Sequence, residues 1–533
     1  MVPGIGPEVQ GRWGQAGPGR ARPGRGNPFR DGRPTPLTTS ILSRATLFGL
    51  LVASLATAQI PPPTDGPRKS DDLRRRRDEI LAKERTTLRE PGDPAGGPAD
   101  GSSQFVLLPE VVEPFQGREA PPPRGGPDRE STRLETAKDL FDLATRATKP
   151  PESFALADQC LRDVVERQPD HAEARRLLGY VPHQGGWATP FAVRMLAEGS
   201  VYDTTYGWVK ADWVPHLKRG ELPDRSLKRW LPAEQADALR RDWATHWEIP
   251  TEHFRISTNV SLNEAISFGR KLEDLHQLFF ALMADVVDPD RLPLARRSRQ
   301  AAGKAGSSVA RNPYQVYYFA SRDEYARFVE PLLGQDAKAS LGTYFPRKEA
   351  PASYGGISYF FNDAGGQLDV TATLYHEASH QLLFESAGSS DYARNSGQYW
   401  VFEGLGTYFE TLQHNADGTI RIGGLIGPRI AQAKIRLIGR REFIPIEKFA
   451  GLSRSKFLAG DIYLNYAESM ALAVFLMQAD GGRHREAFLD YTLDAYKGRF
   501  RGAAGRSLAE QVGLGFPELN RTFLAYLGHE PGP

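Results

Sequence analysis

Two histidines spaced four residues apart form the pattern in this chain that most directly predicts chemistry. The sequence His376-Glu377-Ala378-Ser379-His380 lies among apolar residues whose spacing predicts a helix. On a helix, side chains four residues apart share a face, so both imidazoles can bind one zinc ion with Glu377 beside them. Two histidines on a purely structural helix are the alternative interpretation.

A third metal ligand is expected further along the chain, because catalytic zinc sites use three protein ligands and leave the fourth position for water. In the sequence, 22 residues separate His380 from Glu403, which lies in a second apolar segment of helical periodicity, residues 400–410. Glu403 is our candidate for the third ligand. Its alternative role is that of a first-turn carboxylate that interacts favourably with the helix dipole.

Together the two segments resemble the gluzincin superfamily of zinc metallopeptidases, which pair a His-Glu-x-x-His helix with a glutamate on the following helix. The residues that match the surroundings of that glutamate are Trp400, Glu403, Gly404, Tyr408 and Glu410. The likeness covers about residues 250–530 and is closest to the peptidase MA-like, largely uncharacterised exported proteins. It implies a thermolysin-like catalytic domain and one zinc ion (Zn²⁺) per chain, held by His376, His380 and Glu403.

The resemblance also implies roles for residues that do not bind the metal. Glu377 would act as the general base, taking a proton from water and passing it to the leaving amine. Tyr466 lies 63 residues after Glu403, about where aminopeptidase N-like gluzincins have a tyrosine that supports the oxyanion, and this spacing favours it over Tyr463. Glu410 is either an acceptor that orients a histidine ligand or a solvated surface acid.

The chain departs from the best-known gluzincins in three respects. The gap between the ligands is slightly longer, Phe402 replaces the asparagine that usually precedes the glutamate ligand, and no Gly-x-Met-Glu-Asn amine-anchoring motif occurs. The missing motif favours an endopeptidase over an aminopeptidase, acting on a peptide or protein substrate. The predicted strand 355–361 would present its edge to an extended peptide by main-chain pairing. The alternatives are a non-hydrolytic zinc-binding module and a cell-surface adaptor with a vestigial metal site.

An α+β catalytic domain, with a sheet lobe followed by a helical lobe, is predicted to position these residues. Apolar runs predict strands at residues 254–258, 314–320 and 355–361. Ser261 and Ser321, each followed by a glutamate three residues later, predict capped helices. Beyond residue 367 the pattern is almost entirely helical.

The first 58 residues are predicted to be a leader that directs export. A basic flank and a short apolar run precede Ala56-Thr57-Ala58, the pattern of a secretory signal peptide that is cleaved between Ala58 and Gln59. The run is about half the length that a membrane-spanning helix needs, so no stable membrane span is expected after cleavage. The predicted location is periplasmic, extracellular or at the cell surface.

Three further segments are predicted between the leader and the catalytic domain at 250–530. Residues 59–130 are rich in Pro, Gly and charge, which predicts a disordered linker. Residues 131–182 predict short helices that resemble half of a tetratricopeptide repeat and could dock a protein partner. Residues 183–245 predict a small Trp- and Gly-rich module that contains β-strands.

Composition excludes several classes of protein. The chain has 533 residues, of which 40% are hydrophobic and 25% charged, so it is neither collagen-like, wholly disordered nor a multi-span membrane protein. Its net charge of +2 gives no indication of a nucleic-acid partner. The single cysteine, Cys160, excludes an intramolecular disulfide and a cysteine-based metal site, and it lies on an apolar helical stripe that predicts burial.

Overall fold

The computed structural model describes residues 69–88, 101–113, 126–224, 228–303, 312–338, 340–350, 353–363, 370–388, 397–501 and 505–528. The predicted signal peptide and its cleavage site lie outside these residues. Across the described ranges, no helix combines the length and apolar character that crossing a membrane requires. The fold is mixed α/β, with one five-stranded sheet and several smaller ones.

A charged helix, α1 (Lys69–Leu88), occupies part of the segment that the sequence predicted to be a disordered linker. Leu73 and Ile80 lie two turns apart on one face of α1 and are buried in the main hydrophobic core. Glu84 forms an ion pair with Arg167 at 2.6 Å. The linker prediction is therefore wrong for α1, because two buried apolar residues and a shielded ion pair attach a helix that is otherwise polar.

Short elements follow α1 and surround two longer helices. These are β1 (Ser103–Phe105), β2 (Val111–Val112), α2 (Gly126–Ala147), α3 (Phe154–Arg167), α4 (Ala172–Leu177), β3 (Val181–His183), β4 (Gly186–Ala188), α5 (Pro190–Ala197), β5 (Ser200–Asp203), β6 (Gly207–Lys210), α6 (Val214–Leu217), β7 (Glu221–Pro223), β8 (Trp230–Pro232) and α7 (Ala233–Ala238). Cys160 is buried on α3, as predicted, and burial raises the pKa of its thiol to about 12. The tetratricopeptide likeness of this region is not confirmed.

A five-stranded sheet, in the order β12-β13-β11-β10-β9, forms the sheet lobe. Its strands are β9 (Trp247–Pro250), β10 (Phe254–Thr258), β11 (Tyr314–Phe319), β12 (Thr343–Ala350) and β13 (Ser353–Phe361), and its helices are α8 (Leu262–Leu282), α9 (Pro293–Ala301) and α10 (Arg322–Leu333). The three inner strands are parallel and the two outer strands antiparallel. Ser261 caps α8 and Ser321 caps α10, as their spacing to a glutamate predicted.

The helical lobe follows the sheet, as predicted. Its elements are α11 (Val370–Ser386), α12 (Tyr399–Phe409), β14 (Gln413–His414), β15 (Ile420–Ile422), α13 (Pro428–Ala433), α14 (Ile446–Ala450), α15 (Arg454–Ala459), α16 (Ile462–Gly482), α17 (Arg485–Tyr496), α18 (Leu508–Val512) and α19 (Phe516–Leu527). Helix α11 contacts β12, β13 and α12, and α12 packs on α16. One hydrophobic core therefore joins the sheet to the helices.

The strand that was predicted to bind a peptide through its edge lies inside the sheet. Strand β13 pairs with β12 on one side and with β11 on the other, so that prediction is wrong. Strand β12, which the sequence analysis missed, holds the edge. The Tyr344 N–H of β12 donates to Glu377 at 2.9 Å, so this edge faces helix α11.

Helix α16 contains a buried carboxyl group, that of Glu468, two residues after Tyr466. The Glu468 side chain is 0% exposed, and its Oε2 accepts a hydrogen bond from the Ile444 N–H at 3.3 Å. Its Oε1 has no hydrogen-bond partner among the described residues. Burial raises the pKa of Glu468 to about 8 because a charged carboxylate is poorly solvated there.

Replacing Glu468 by Gln is expected to remove a loss of stability that builds up as pH rises from about 4.5 to about 8. The folded chain keeps the proton up to about pH 8, whereas the unfolded chain releases it near pH 4.5. The folded state thus binds more protons between these values, and its free energy of unfolding falls as pH rises through them. We expect wild type and Glu468→Gln to unfold alike at pH 5, and the variant to be more stable by about 2–4 kcal/mol at pH 8.5. Urea unfolding of both chains across this range measures the difference, and parallel pH profiles would contradict the assignment.

Candidate metal centre

Helices α11 and α12 bring together the three side chains that the sequence predicted as metal ligands. One ligand atom from each of His376, His380 and Glu403 lies within 4.8 Å of the other two. The two imidazole rings, four residues apart on α11, stand 4.8 Å apart at 80°. His376 and Glu403 are buried and His380 is half-buried, so the group has one side from which a small molecule can approach.

The orientation of His376 is fixed from both ring nitrogens. Its Nδ1 lies 2.8 Å from Glu410 Oε1 and its Nε2 lies 3.3 Å from Glu403 Oε2. Two ligands of a tetrahedral zinc ion, each about 2.0–2.1 Å from the metal, are themselves roughly 3.3 Å apart. The separation of His376 and Glu403 therefore suits a shared zinc ion. Glu410 is only 10% exposed, so it is the orienting acceptor and not a surface acid.

Three carboxylates give this buried site a negative electrostatic potential. They belong to Glu377, Glu403 and Glu410. Burial opposes a charge on His376, but hydrogen bonds to Glu403 and Glu410 outweigh it and raise the pKa of the imidazole to about 10. Burial also disfavours the charged form of Glu403, yet His376 and His380 bring its pKa down to about 2. Arg429 adds one positive charge through its ion pair with Glu410. When His376 gives up its proton to become a metal ligand, two negative charges remain, which a divalent cation would neutralise.

Two tyrosines complete the surroundings of Glu403. The phenols of Tyr399 and Tyr466 both lie close enough to its carboxylate for the negative charge to raise their pKa. The ring of Tyr466, on α16, lies 6.5 Å from that of His376, so the predicted tyrosine does reach the metal ligands. Burial, reinforced by the charge of Glu403, raises the pKa of the Tyr466 phenol well above its ordinary value, which keeps the hydroxyl protonated as a donor.

Helix α12 approaches His376 through a glycine. A Cβ atom built on Gly406 would lie 2.7 Å from His376 Cε1 and Nε2, closer than real Cβ contacts occur. Trp400, one and a half turns earlier, is 0% exposed and stacks on Phe488, which anchors α12 in the core. The imidazole therefore lies directly on the helix backbone, a contact that only glycine permits.

Sequence reasoning missed several residues of this site because their roles depend on packing that residue spacing does not show. Tyr399 and Arg429 touch Glu403 and Glu410, but neither occupies a ligand spacing relative to α11. Gly406 lies in the segment that the sequence singled out, yet only its packing against His376 reveals a role. A tyrosine four residues before a glutamate ligand was the one available pointer, since positions i and i+4 share a helix face.

A second group of metal-binding residue types lies on the sheet lobe. Ligand atoms of His253, Glu273 and His276 are within 4.8 Å of one another. The two imidazoles stack with centroids 3.6 Å apart and planes 16° apart, and Glu273 lies 2.7 Å from His253 Nδ1. Stacked rings direct their in-plane lone pairs along nearly parallel lines and not towards one point. The group therefore has the geometry of a packed ion pair.

Residues 370–496 match a family described as "Protein of unknown function (DUF1570)". The match begins at the start of α11 and ends with α17, so it contains all three candidate ligands together with Glu377, Glu410 and Tyr466. A comparison with curated proteins finds no match. The resemblance to gluzincins is thus not confirmed by a relative, and the chemistry must be argued from the side chains.

Replacing Gly406 by Ala is expected to weaken metal binding more than it weakens the fold. The added methyl group displaces the His376 ring, which should lower Zn²⁺ affinity by about tenfold or more, whereas overpacking of this kind costs about 1–3 kcal/mol. Chelator competition and thermal unfolding measure the two effects. Gly397→Ala is the control, because its Cβ would meet the Gly451 carbonyl oxygen at an ordinary 3.7 Å. Equal Zn²⁺ affinities in the two variants would contradict the prediction.

Proposed function

We propose that this protein is an exported, zinc-dependent metallopeptidase. The observation that carries the proposal is the convergence of His376, His380 and Glu403, with the carboxylate of Glu377 on the same helix turn. Two imidazoles and one carboxylate are the ligand set of catalytic zinc sites that retain an open position. The ion-paired carboxylates around His376 further support a cation of charge two.

The three ligands would hold Zn²⁺, which supplies Lewis acidity by lowering the pKa of a water molecule towards about 7 and polarising a carbonyl group. His376 would bind through Nε2, because its Nδ1 is already engaged by Glu410. The half-buried His380 lies at the accessible side of the group, where water and substrate would enter.

Glu377 is the proposed general base. It lies on the ligand helix but is not one of the three clustered ligands, and its Oε2 accepts the Tyr344 N–H. That hydrogen bond fixes the orientation of the carboxylate, which would accept a proton from water. The carboxyl group so formed would then donate this proton to the amine nitrogen as the peptide bond breaks.

Tyr466 would stabilise the substrate carbonyl oxygen as negative charge develops on it. Its hydroxyl keeps its single proton beside Glu403 and would turn that proton to the carbonyl oxygen once the metal holds the Glu403 carboxylate. A preset donor of this kind is stronger in a partly buried site than in water. Tyr399, which also lies beside Glu403, would hold that carboxylate in its orientation.

The edge of β12 offers the place for an extended peptide. In an antiparallel pair the main-chain groups of alternate residues point away from the partner strand. The outward Tyr344 N–H defines that alternation, so residues 344, 346 and 348 point their main-chain groups to the edge, where Pro346 offers only its carbonyl oxygen and the Tyr344 N–H is held by Glu377. A peptide paired there passes Glu377, and binding through the main chain at an open edge favours an endopeptidase.

Three variants separate a peptidase from a non-hydrolytic zinc-binding module. The full chain is expected to bind one Zn²⁺ and to cleave a quenched peptide library, and His376→Ala to lose both. Glu377→Gln should keep the metal but lose about 10²–10⁴-fold in cleavage rate, since only the proton carrier is removed. Glu447→Gln, an exposed carboxylate on α14, is the control and should retain both properties. Bound Zn²⁺ with no cleavage in any chain would favour the binding module.

The role of Tyr466 is tested against the tyrosine one turn earlier. Tyr466→Phe is expected to lower kcat by about 10²–10³-fold with Zn²⁺ content unchanged, because one donor to the developing charge is lost. Tyr463→Phe is the matched control, since Tyr463 is 38% exposed on the same helix. Steady-state kinetics and metal analysis measure both effects, and equal kcat values for the two variants would refute the assignment.

A further inference from the structure

Arg429, at the start of α13, forms an ion pair with Glu410, one of the carboxylates of the metal centre. Its Nε donates to Glu410 Oε2 at 2.7 Å and its Nη2 to Glu410 Oε1 at 3.4 Å. Burial opposes the charge, but the carboxylate of Glu410 outweighs it and raises the pKa of the guanidinium. Arg429 is therefore a permanent positive charge behind Glu410.

The geometry of Glu410 links Arg429 to a metal ligand. Its Oε1 is shared between His376 Nδ1, at 2.8 Å, and the guanidinium, whereas its Oε2 is held by Arg429 alone. Hydrogen bonds to both oxygens of the Glu410 carboxylate restrict its rotation about the Cγ–Cδ bond. Because that rotation would turn Oε1 away from the imidazole, Arg429 fixes the contact that selects Nε2 of His376 for the metal.

A second contact links Arg429 to the tyrosine of the site. Its guanidinium carbon lies 5.5 Å from the centroid of the Tyr466 ring, within the range of a cation–π interaction. The ring of Tyr466 also lies 6.5 Å from that of His376. The Arg429 side chain thus contacts both Glu410, which orients His376, and the ring of Tyr466.

The turn before α13 presets this arrangement. Gly427 has φ +106°, a conformation that side chains rarely adopt, and Pro428 occupies the first turn of the helix. Gly427 allows the sharp entry into α13 and Pro428 fixes its first backbone angle. Arg429 therefore projects from a backbone position that the turn determines.

We propose that Arg429 is a positioning residue of this site, which orients His376 through Glu410 and holds the ring of Tyr466 in the same contact. The inference rests on the proposed function. It adds that Arg429 supports both the metal ligand His376, through Glu410, and the proposed hydroxyl donor Tyr466. The planar fork of arginine is required, because lysine supplies the charge without gripping both carboxylate oxygens.

The test compares Zn²⁺ affinity of the full chain with that of Arg429→Gln, Arg429→Lys and Arg436→Gln. Arg436 is the matched control: it pairs with Glu442 and with Asp461, the N-cap of α16, but touches none of the metal-centre residues. We expect Arg429→Gln to raise the dissociation constant for Zn²⁺ by about 10–100-fold, Arg429→Lys to raise it by a smaller factor, and Arg436→Gln to leave it within about twofold.

A double variant shows whether Arg429 acts through Glu410. If it does, Arg429→Gln combined with Glu410→Gln binds Zn²⁺ no more weakly than Glu410→Gln alone, because the link is already broken. Fully additive losses overturn the inference, as does a similar loss in Arg436→Gln, which would indicate general weakening of the lobe. Thermal unfolding of each metal-free chain shows that it is folded, and Arg429→Lys keeps the test available where Arg429→Gln unfolds.

The outcomes distinguish this inference from the proposed function. A wild-type chain that binds Zn²⁺ no better than His376→Ala overturns both. A wild-type chain that binds Zn²⁺ tightly, with Arg429→Gln equally tight, overturns the positioning role alone. With Zn²⁺ saturating, Arg429→Gln should still show a lower kcat at an unchanged KM, since the Tyr466 ring has lost its contact; an unchanged kcat overturns that part of the inference.

Discussion

The imidazole of His376 lies between two buried carboxylates, and the packing of the helical lobe depends on this contact. His376 needs Glu403 at Nε2 and Glu410 at Nδ1, and those glutamates lie seven residues, or two turns, apart on α12. Two turns bring both carboxylates to the same face of a helix. The ring must then lie flat against the backbone between them, which is the position that Gly406 leaves open.

The elements around α12 follow from the charges that this arrangement buries. Carboxylates removed from water need opposite charges or hydrogen-bond donors. Helix α13 supplies Arg429 to Glu410, and α16 supplies the hydroxyl of Tyr466 to Glu403. Neither glutamate could be buried without these helices, so the packing of α12, α13 and α16 and the electrostatics of the site are one arrangement.

The local part of this design could be predicted from the sequence and the long-range part could not. The spacing of His376 and His380, and the capped start of α8 at Ser261, depend on neighbours within a few residues, where helix geometry is the only constraint. Strand β12 lacks an apolar alternation, and its place at the sheet edge depends on pairing with β13. Arg429 looks like any surface arginine until α13 folds against Glu410. Helix α1 could not be predicted from composition, because its many polar residues outweigh the two apolar residues that attach it to the core.

The N-terminal region contributes to the same support from the opposite side. Strand β1 pairs with β15, and the Ser103 hydroxyl donates to Gln478 Oε1 on α16 at 2.7 Å. Strand β15 ends directly before the turn that leads into α13 and Arg429. Gln478 in turn donates to the hydroxyl of Tyr408 on α12 at 2.8 Å. Strand β1 is therefore linked through Gln478 to α16 and α12, the helices that carry Tyr466 and Glu403, so this described N-terminal element belongs to the support of the candidate site.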